Sequence, residues 1–446
     1  MLRLPMPIPD FAFHLRPAAV ICGLVLASLT GIEPGSALAG DSWPQWRGPN
    51  QNGDAGKGDY PIRWDEQTNV MWKTSIQGKG GSTPVVSGAT AYLTTGFDGE
   101  NRLVAISIDD GTEKWTKTIG ADRGLKHRKG GGANPSPVTK DDLVYAYFRS
   151  GDLGCVNSEG EIQWQINVQE EHGPDRLKWD LGTSLLMTQR ALVIAVVQEG
   201  DSYLLALDPK TGDQLWKVDR NLEAPAEAND SYATPVSVEV AGREAIAVLG
   251  ADHLTLHDAA DGNLMGKIGG LNPGQRTNFR SIASPVVSGD YVVCPYSRGE
   301  TVTVFDTKKL VAGEGNESIV WFRDDVGSDV PTPAIFDDQV IFVGGSKKQR
   351  GTVSGVDLET GKTMWSLQVP LTRHDFSSSP LVAGQYVYVT GEEGTTHVIG
   401  PLDEESPRVI SSNSLGDDEP YTTASPIAIG DSLIIRTKSN LYRIGS

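Results

Sequence analysis

Residues 204–216 read LLALDPKTGDQLW. Four apolar residues lead to Asp208, whose carboxylate can accept hydrogen bonds from backbone N–H groups ahead of it. Pro209 presets the first central dihedral of a turn, and Gly212 can take the positive φ that strains other residues. The stretch is therefore a strand, a compact turn and a second strand ending in Trp216. Burying that ring is worth at most about 4–6 kcal/mol, and a lone four-stranded sheet has no pocket for it. A neighbouring unit must supply the pocket.

The stretch recurs as VSGVDLETGKTMW (353–365), and more loosely as LVAISIDDGTEKW (103–115) and LGCVNSEGEIQW (153–164). Upstream of each lies a Ser or Thr followed by proline, at Thr83, Ser136, Thr234, Ser284, Thr332, Ser379 and Ser425. Ser184-Leu185 is the one irregular case, and with it the spacing runs from 46 to 53 residues over eight units. Short alternating runs such as SPVVSGDYVVC (284–294), separated by Gly, Asp and Asn, read as antiparallel strands, four to a unit and here named a to d.

Four-stranded sheets repeated radially around a channel make a β-propeller. The chain ends test this architecture. The eighth unit, 423–446, stops after strand c, and an unpaired VMWKTSI (70–76) precedes the first unit. That segment is the missing strand d, so the expected fold is an all-β, eight-bladed propeller of four-stranded antiparallel blades, closed by an N-terminal strand pairing with the last blade. Trp72 then takes the docking role of Trp115, Trp164, Trp216, Trp321 and Trp365. Unit 4 has Met265 and Gly266 near the tryptophan position and unit 7 has no aromatic there, so looser interfaces are expected at both.

The spacing Ala206-x-Asp208-x-x-Thr211-Gly212-x-x-x-Trp216 resembles the tryptophan-docking repeat of pyrroloquinoline-quinone-type eight-bladed propellers, and 355–365 departs from it only at Gly355. The resemblance covers residues 70–446. Its superfamily holds quinoprotein alcohol dehydrogenases and the non-catalytic B subunit of the outer-membrane assembly machine. The preceding DSWPQWRGPNQNG (41–53) is similar to the mature N-terminus of exported propeller-repeat proteins of planctomycete-like bacteria. Residues 40–69 are expected to pack as an extended segment on the propeller, with Trp43, Trp46 and the Arg47–Asn50 turn along one face of the disc.

Residues 1–39 read as a cleaved export signal: Arg3 and Arg16, an apolar run from Ala18 to Ile32, then Ala37-Leu38-Ala39. The run is shorter than the roughly 20 residues of a membrane span. Ile21 before Cys22 does not suit a lipid-anchoring signal. A soluble periplasmic or extracellular monomer is expected, with Cys155 and Cys294 as free buried thiols. Lys and Arg number 39 against 57 Asp and Glu, a net charge of −18, which argues against nucleic-acid partners.

The superfamily's dehydrogenases imply a quinone over a tryptophan floor, under a ring of two adjacent cysteines, with Ca²⁺ held by Glu, Asn and Asp. No two cysteines are adjacent here, and the chain is shorter than those enzymes. His253 and His257 alternate along a strand, about 13 Å apart by the strand rise and too far apart for one ion. KHRKGGGANPSP (126–137) leads into a strand, whereas a phosphate loop opens a helix.

A ligand belongs where the d-to-a connections gather round the channel mouth. They carry His127, Arg128, Lys129 and Asn134; Asp180; Asn229, Asp230 and Tyr232; Asn278 and Arg280; Asp329; Arg373, His374 and Asp375; and Tyr421. The function read from the sequence is a non-catalytic binding or scaffold module for a protein, peptide or glycan partner, with no cofactor. The alternative is an oxidoreductase holding pyrroloquinoline quinone and Ca²⁺ in the channel.

Overall fold

The computed structural model describes Met1 and residues 42–345, 349–370 and 372–445. The export signal read in 1–39 lies outside the described residues, Met1 apart. No helix among the described residues is long and apolar enough to cross a membrane.

Eight four-stranded antiparallel sheets follow one another as blades: 85–121, 138–167, 186–219, 236–268, 286–323, 334–368, 381–413 and 427–444. The eighth takes its fourth strand, Val70–Ser75, from the N-terminal side, with Ser75 opposite Asn440 and Val70 opposite Ile444. Among the described residues helix is confined to short pieces such as Val168–His172 and Thr307–Val311.

The Ser/Thr-Pro element acquires a physical meaning in the ring. The backbone N–H of Thr83 donates to Ser136 Oγ (3.0 Å), Ser136 to Ser184 (2.9 Å), Ser184 to Thr234 (2.9 Å) and Thr234 to Ser284 (2.8 Å). Ser284 then donates to Thr332 (2.8 Å), Thr332 to Ser379 (2.9 Å), Ser379 to Ser425 (3.0 Å), and Ser425 back to Thr83 (3.0 Å). Every blade is thus hydrogen-bonded to the next at the channel wall. Ser184 takes part although Leu185 replaces the proline, so the bonds of the ring do not require the proline.

At the rim of the disc five of the tryptophans lie against a glycine of the following blade, through a device the sequence conceals. In each c–d pairing the register slips by one residue just before the docking position, as where Leu207 faces Gln214 but Ala206 faces Trp216. This β-bulge turns strand d and aims the indole at the next blade. Trp164 lands on Gly212, where a Cβ would lie 2.8 Å from the ring, and its indole N–H donates to the Pro209 carbonyl (2.9 Å). Trp72 on Gly111, Trp115 on Gly160 and Trp321 on Gly361 repeat the arrangement. Each such glycine therefore answers two demands, a φ near +70 to +80° and room for a ring. Trp216 covers Gly262, but its indole N–H has no partner. Trp365 departs from the pattern, its N–H bonding Gln339 Oε1 (2.8 Å) within its own blade.

The two interfaces expected to be loose are filled by other parts of the chain. Gly266, at the tryptophan position of blade 4, receives Leu310 from the helix Thr307–Val311 of blade 5. In blade 7 the equivalent position is Ser411, whose hydroxyl bonds the Ile62 carbonyl. There Tyr60 and Trp64 join one buried cluster with strands of blades 7 and 8, Trp64 stacking on Tyr388 at 6.3 Å.

His257 is buried on strand c of blade 4, bonded through Nδ1 to the Gly262 carbonyl (2.9 Å). Burial pushes its imidazole down to about 4, against the Gly262 bond and with help from the Arg220 charge. The folded value lies below the unfolded one of about 6.5, so the stabilisation is complete above that pH and is lost as pH falls through about 4. The loss amounts to about 3 kcal/mol at most. Accordingly, His257→Gln should lose less melting temperature than the parent between pH 7 and pH 4, and parallel pH profiles would refute the assignment.

Candidate functional site

The channel is a cup closed at one end. Residues 43–56 cross beneath it and bond to the residue three positions past a ring hydroxyl in five blades: Val86, Thr139, Ser237, Ile335 and Val382. Arg47 pins this segment. It is fully buried and donates to the carbonyls of Pro380 (2.7 Å) and Pro333 (2.9 Å), and burial without a carboxylate partner lowers its pKa to about 9. Trp46, next to it, borders the floor of a cavity of about 590 Å³, whose wall includes all eight ring hydroxyls. Leu185, standing in for proline, shares a small void with the same indole.

Above the hydroxyls the wall is built from the d-to-a connections. Of the sequence-derived residues, His127, Lys129, Asn134, Asp180, Tyr232, Arg280, Asp329 and Asp375 line the cup. Arg128, Asn278, Arg373 and His374 stand exposed outside it. Asn229 caps its own turn, its side-chain amide donating to the Ala224 carbonyl (2.6 Å), and Tyr421 is half-buried beside the mouth. Asp230 is buried and braces the loops, accepting from the backbone N–H of Lys178 (3.0 Å).

The same bracing recurs one blade earlier. Asp180 accepts from the backbone N–H groups of Lys126 (2.8 Å) and His127 (2.9 Å), and faces Arg149 Nε at 3.3 Å. Tyr232 accepts from the Trp179 backbone N–H (3.0 Å). The glycine-rich loop after Lys126 is held across the mouth by Lys129, which reaches Glu392 (2.7 Å) and Asp375 (3.2 Å). The mouth is therefore fixed by hydrogen bonds between loops of different blades.

Sequence reasoning missed Trp46 as a cavity residue, together with Trp179, Glu227, Arg298, Arg350 and Phe376. Trp179 and Glu227 lie in connections already singled out. Arg298 and Arg350 sit in or beside b–c turns, and strand parity places those turns on the same face as the d-to-a connections. Burial opposes ionisation of Glu227, yet Lys178 (2.9 Å), the Trp179 indole N–H (2.9 Å) and Arg280 hold its pKa below the ordinary value. Asp329 is shifted the other way. Burial raises its pKa against the charges of Arg280 and Arg298, and its Oδ1 has no hydrogen-bond partner.

These residues do not fit a quinone–calcium site. The carboxylates of the wall are spread around it, those of Asp180, Glu227 and Asp375 are engaged by Lys, Arg or backbone N–H groups, and no three His, Cys, Asp or Glu side chains converge for a metal among the described residues. Cys155 and Cys294 lie in different blades, and burial pushes their thiols up, that of Cys155 to about 12. Neither is placed to cap a cofactor.

Many solved structures share the fold, among them the following three, at low identity. BamB from Moraxella catarrhalis matches with TM-score 0.58 and 14% identity over 83% of this chain and 95% of its own. The quinohemoprotein alcohol dehydrogenase of Comamonas testosteroni matches with 0.67 and 12% over 92% and 81%. The computationally designed Ika8 protein matches with 0.58 and 13% over 83% and 98%. A scaffold this widely shared carries no activity by itself. No curated protein matches the sequence significantly. One family model, described as outer membrane protein assembly factor BamB, matches residues 56–196, 181–366 and 318–445. With that model covering nearly the whole of the propeller, the chain belongs to the BamB family of propeller-repeat proteins.

Proposed function

We propose that the protein is an exported propeller without chemistry of its own, which presents its channel mouth to a protein, peptide or glycan partner. The observation that carries this reading is the pre-formed mouth: its loops are locked to one another by Asp180, Asp230 and Lys129 over a cup with a closed floor. A site already rigid when empty loses little entropy on binding. Export rests on the reading of residues 1–39, and the net charge of −18 opposes binding of nucleic acid.

The test is photocrosslinking in periplasmic extract from a reporter at the exposed rim positions Asn278 or Arg373, compared with one at Asn50 on the opposite face. Adducts should form from the rim alone and fade when Arg280→Ala is added. Equal labelling from both faces, or no dependence on Arg280, would overturn the reading.

A further inference from the structure

We propose that the cup receives the end of a neutral saccharide, an inference that rests on the binding role above and names its ligand class. Charge is the first ground. Among the described residues, four cationic and four anionic side chains line the cavity, and most lie close to a partner of opposite sign, so these offer an ionic ligand no surplus of opposite charge. Hydrogen-bonding capacity is the second. Arg280 Nη1 is a buried donor without a partner, and Asp329 Oδ1 is a buried acceptor without one. The two side chains approach each other at 3.9 Å, Nη2 to Oδ2. A donor beside an acceptor is the complement of two neighbouring hydroxyls on a sugar ring, each of which both donates and accepts.

The ring hydroxyls extend this match. Each accepts one backbone N–H, and none donates to protein among the described residues, which leaves every hydroxyl of the ring a spare O–H and a lone pair at the cavity wall. The Trp46 indole below supplies an apolar plane for the C–H face of a sugar ring. A peptide strand, by contrast, needs open backbone groups, and the N-terminal segment already occupies those of strand a in several blades. The cavity volume lies within the range of about 300–1,000 Å³ typical of small-ligand sites and suits a chain end.

The experiment is a printed array of neutral and acidic glycans probed with the full chain, followed by calorimetric titration of the best neutral ligand at low and high salt. Binding to at least one neutral glycan should saturate and change less than about twofold with salt. Asp329→Asn should weaken it about tenfold or more, as expected for a lost charge-assisted hydrogen bond, at an undiminished melting temperature. Arg373→Ala, outside the cup, should leave it unchanged. A blank neutral array, retention of acidic glycans alone with steep salt dependence, or indifference to Asp329→Asn each overturns the inference. If rim adducts form with a protein while the array stays blank, the binding role survives and the saccharide does not.

Discussion

A chain shortened through Ile76 is expected to lose cooperative folding, whereas one shortened only through Asn69 keeps a closed ring. The first deletion removes the strand Val70–Ser75, the buried Trp72 and Ile76, and the ladder to Asn440–Ile444. Loss of the indole alone costs about 3–5 kcal/mol, the isoleucine adds about 2–5, and each ladder bond about 0.5–1.5. The total is of the order of 10 kcal/mol, comparable with the whole stability of many domains. Urea titration followed by far-ultraviolet circular dichroism reads the difference, and a synthetic peptide of residues 70–76 should partly restore the shortened form. Superimposable transitions for the two deletions would contradict ring closure by this strand.

Substitution of single docking tryptophans should separate strong from weak interfaces. Trp72→Ala is expected to cost about 3–5 kcal/mol. The ring is 8% exposed and its N–H donates to the Ile108 carbonyl at 2.7 Å, so truncation leaves both a cavity and an unpaired carbonyl. Trp216→Ala should cost less by at least about 1 kcal/mol, because that indole is only half-buried and its N–H bonds nothing. Midpoints of urea unfolding at a shared slope test the order. A larger loss at Trp216 would contradict the order expected from ring burial and the indole bond together.

The fold was legible in the sequence because its two requirements repeat. Gly212 and Trp216 lie four residues apart in one strand-turn-strand stretch, although each contacts a different blade, Gly212 meeting Trp164 and Trp216 meeting Gly262. Where the pattern failed, substitutes came from distant sequence: Leu310 from a helix within a c–d connection, and Trp64 from the N-terminal segment. Neither carries a periodic signal. The mouth was legible to the extent that topology dictates it: Asp180, Arg280 and Asp329, taken from the d-to-a connections, line the cavity. Exposed loop residues such as Arg373 were gathered with them, since position in a connection does not say which way a side chain turns. Trp46 escaped because its role depends on Arg47 anchoring the segment to carbonyls some 290 to 330 residues away in the chain.

The circle of hydroxyl bonds has no preferred starting point. Ser425 to Thr83, where late sequence meets early, is 3.0 Å long, like its counterparts elsewhere in the circle. The hub is therefore blind to the seam, and only the outer strand of blade 8 records where the polypeptide opens. A gene rearranged to begin at another inter-blade crossing, with its own first strand borrowed by its last sheet, should build the same hub.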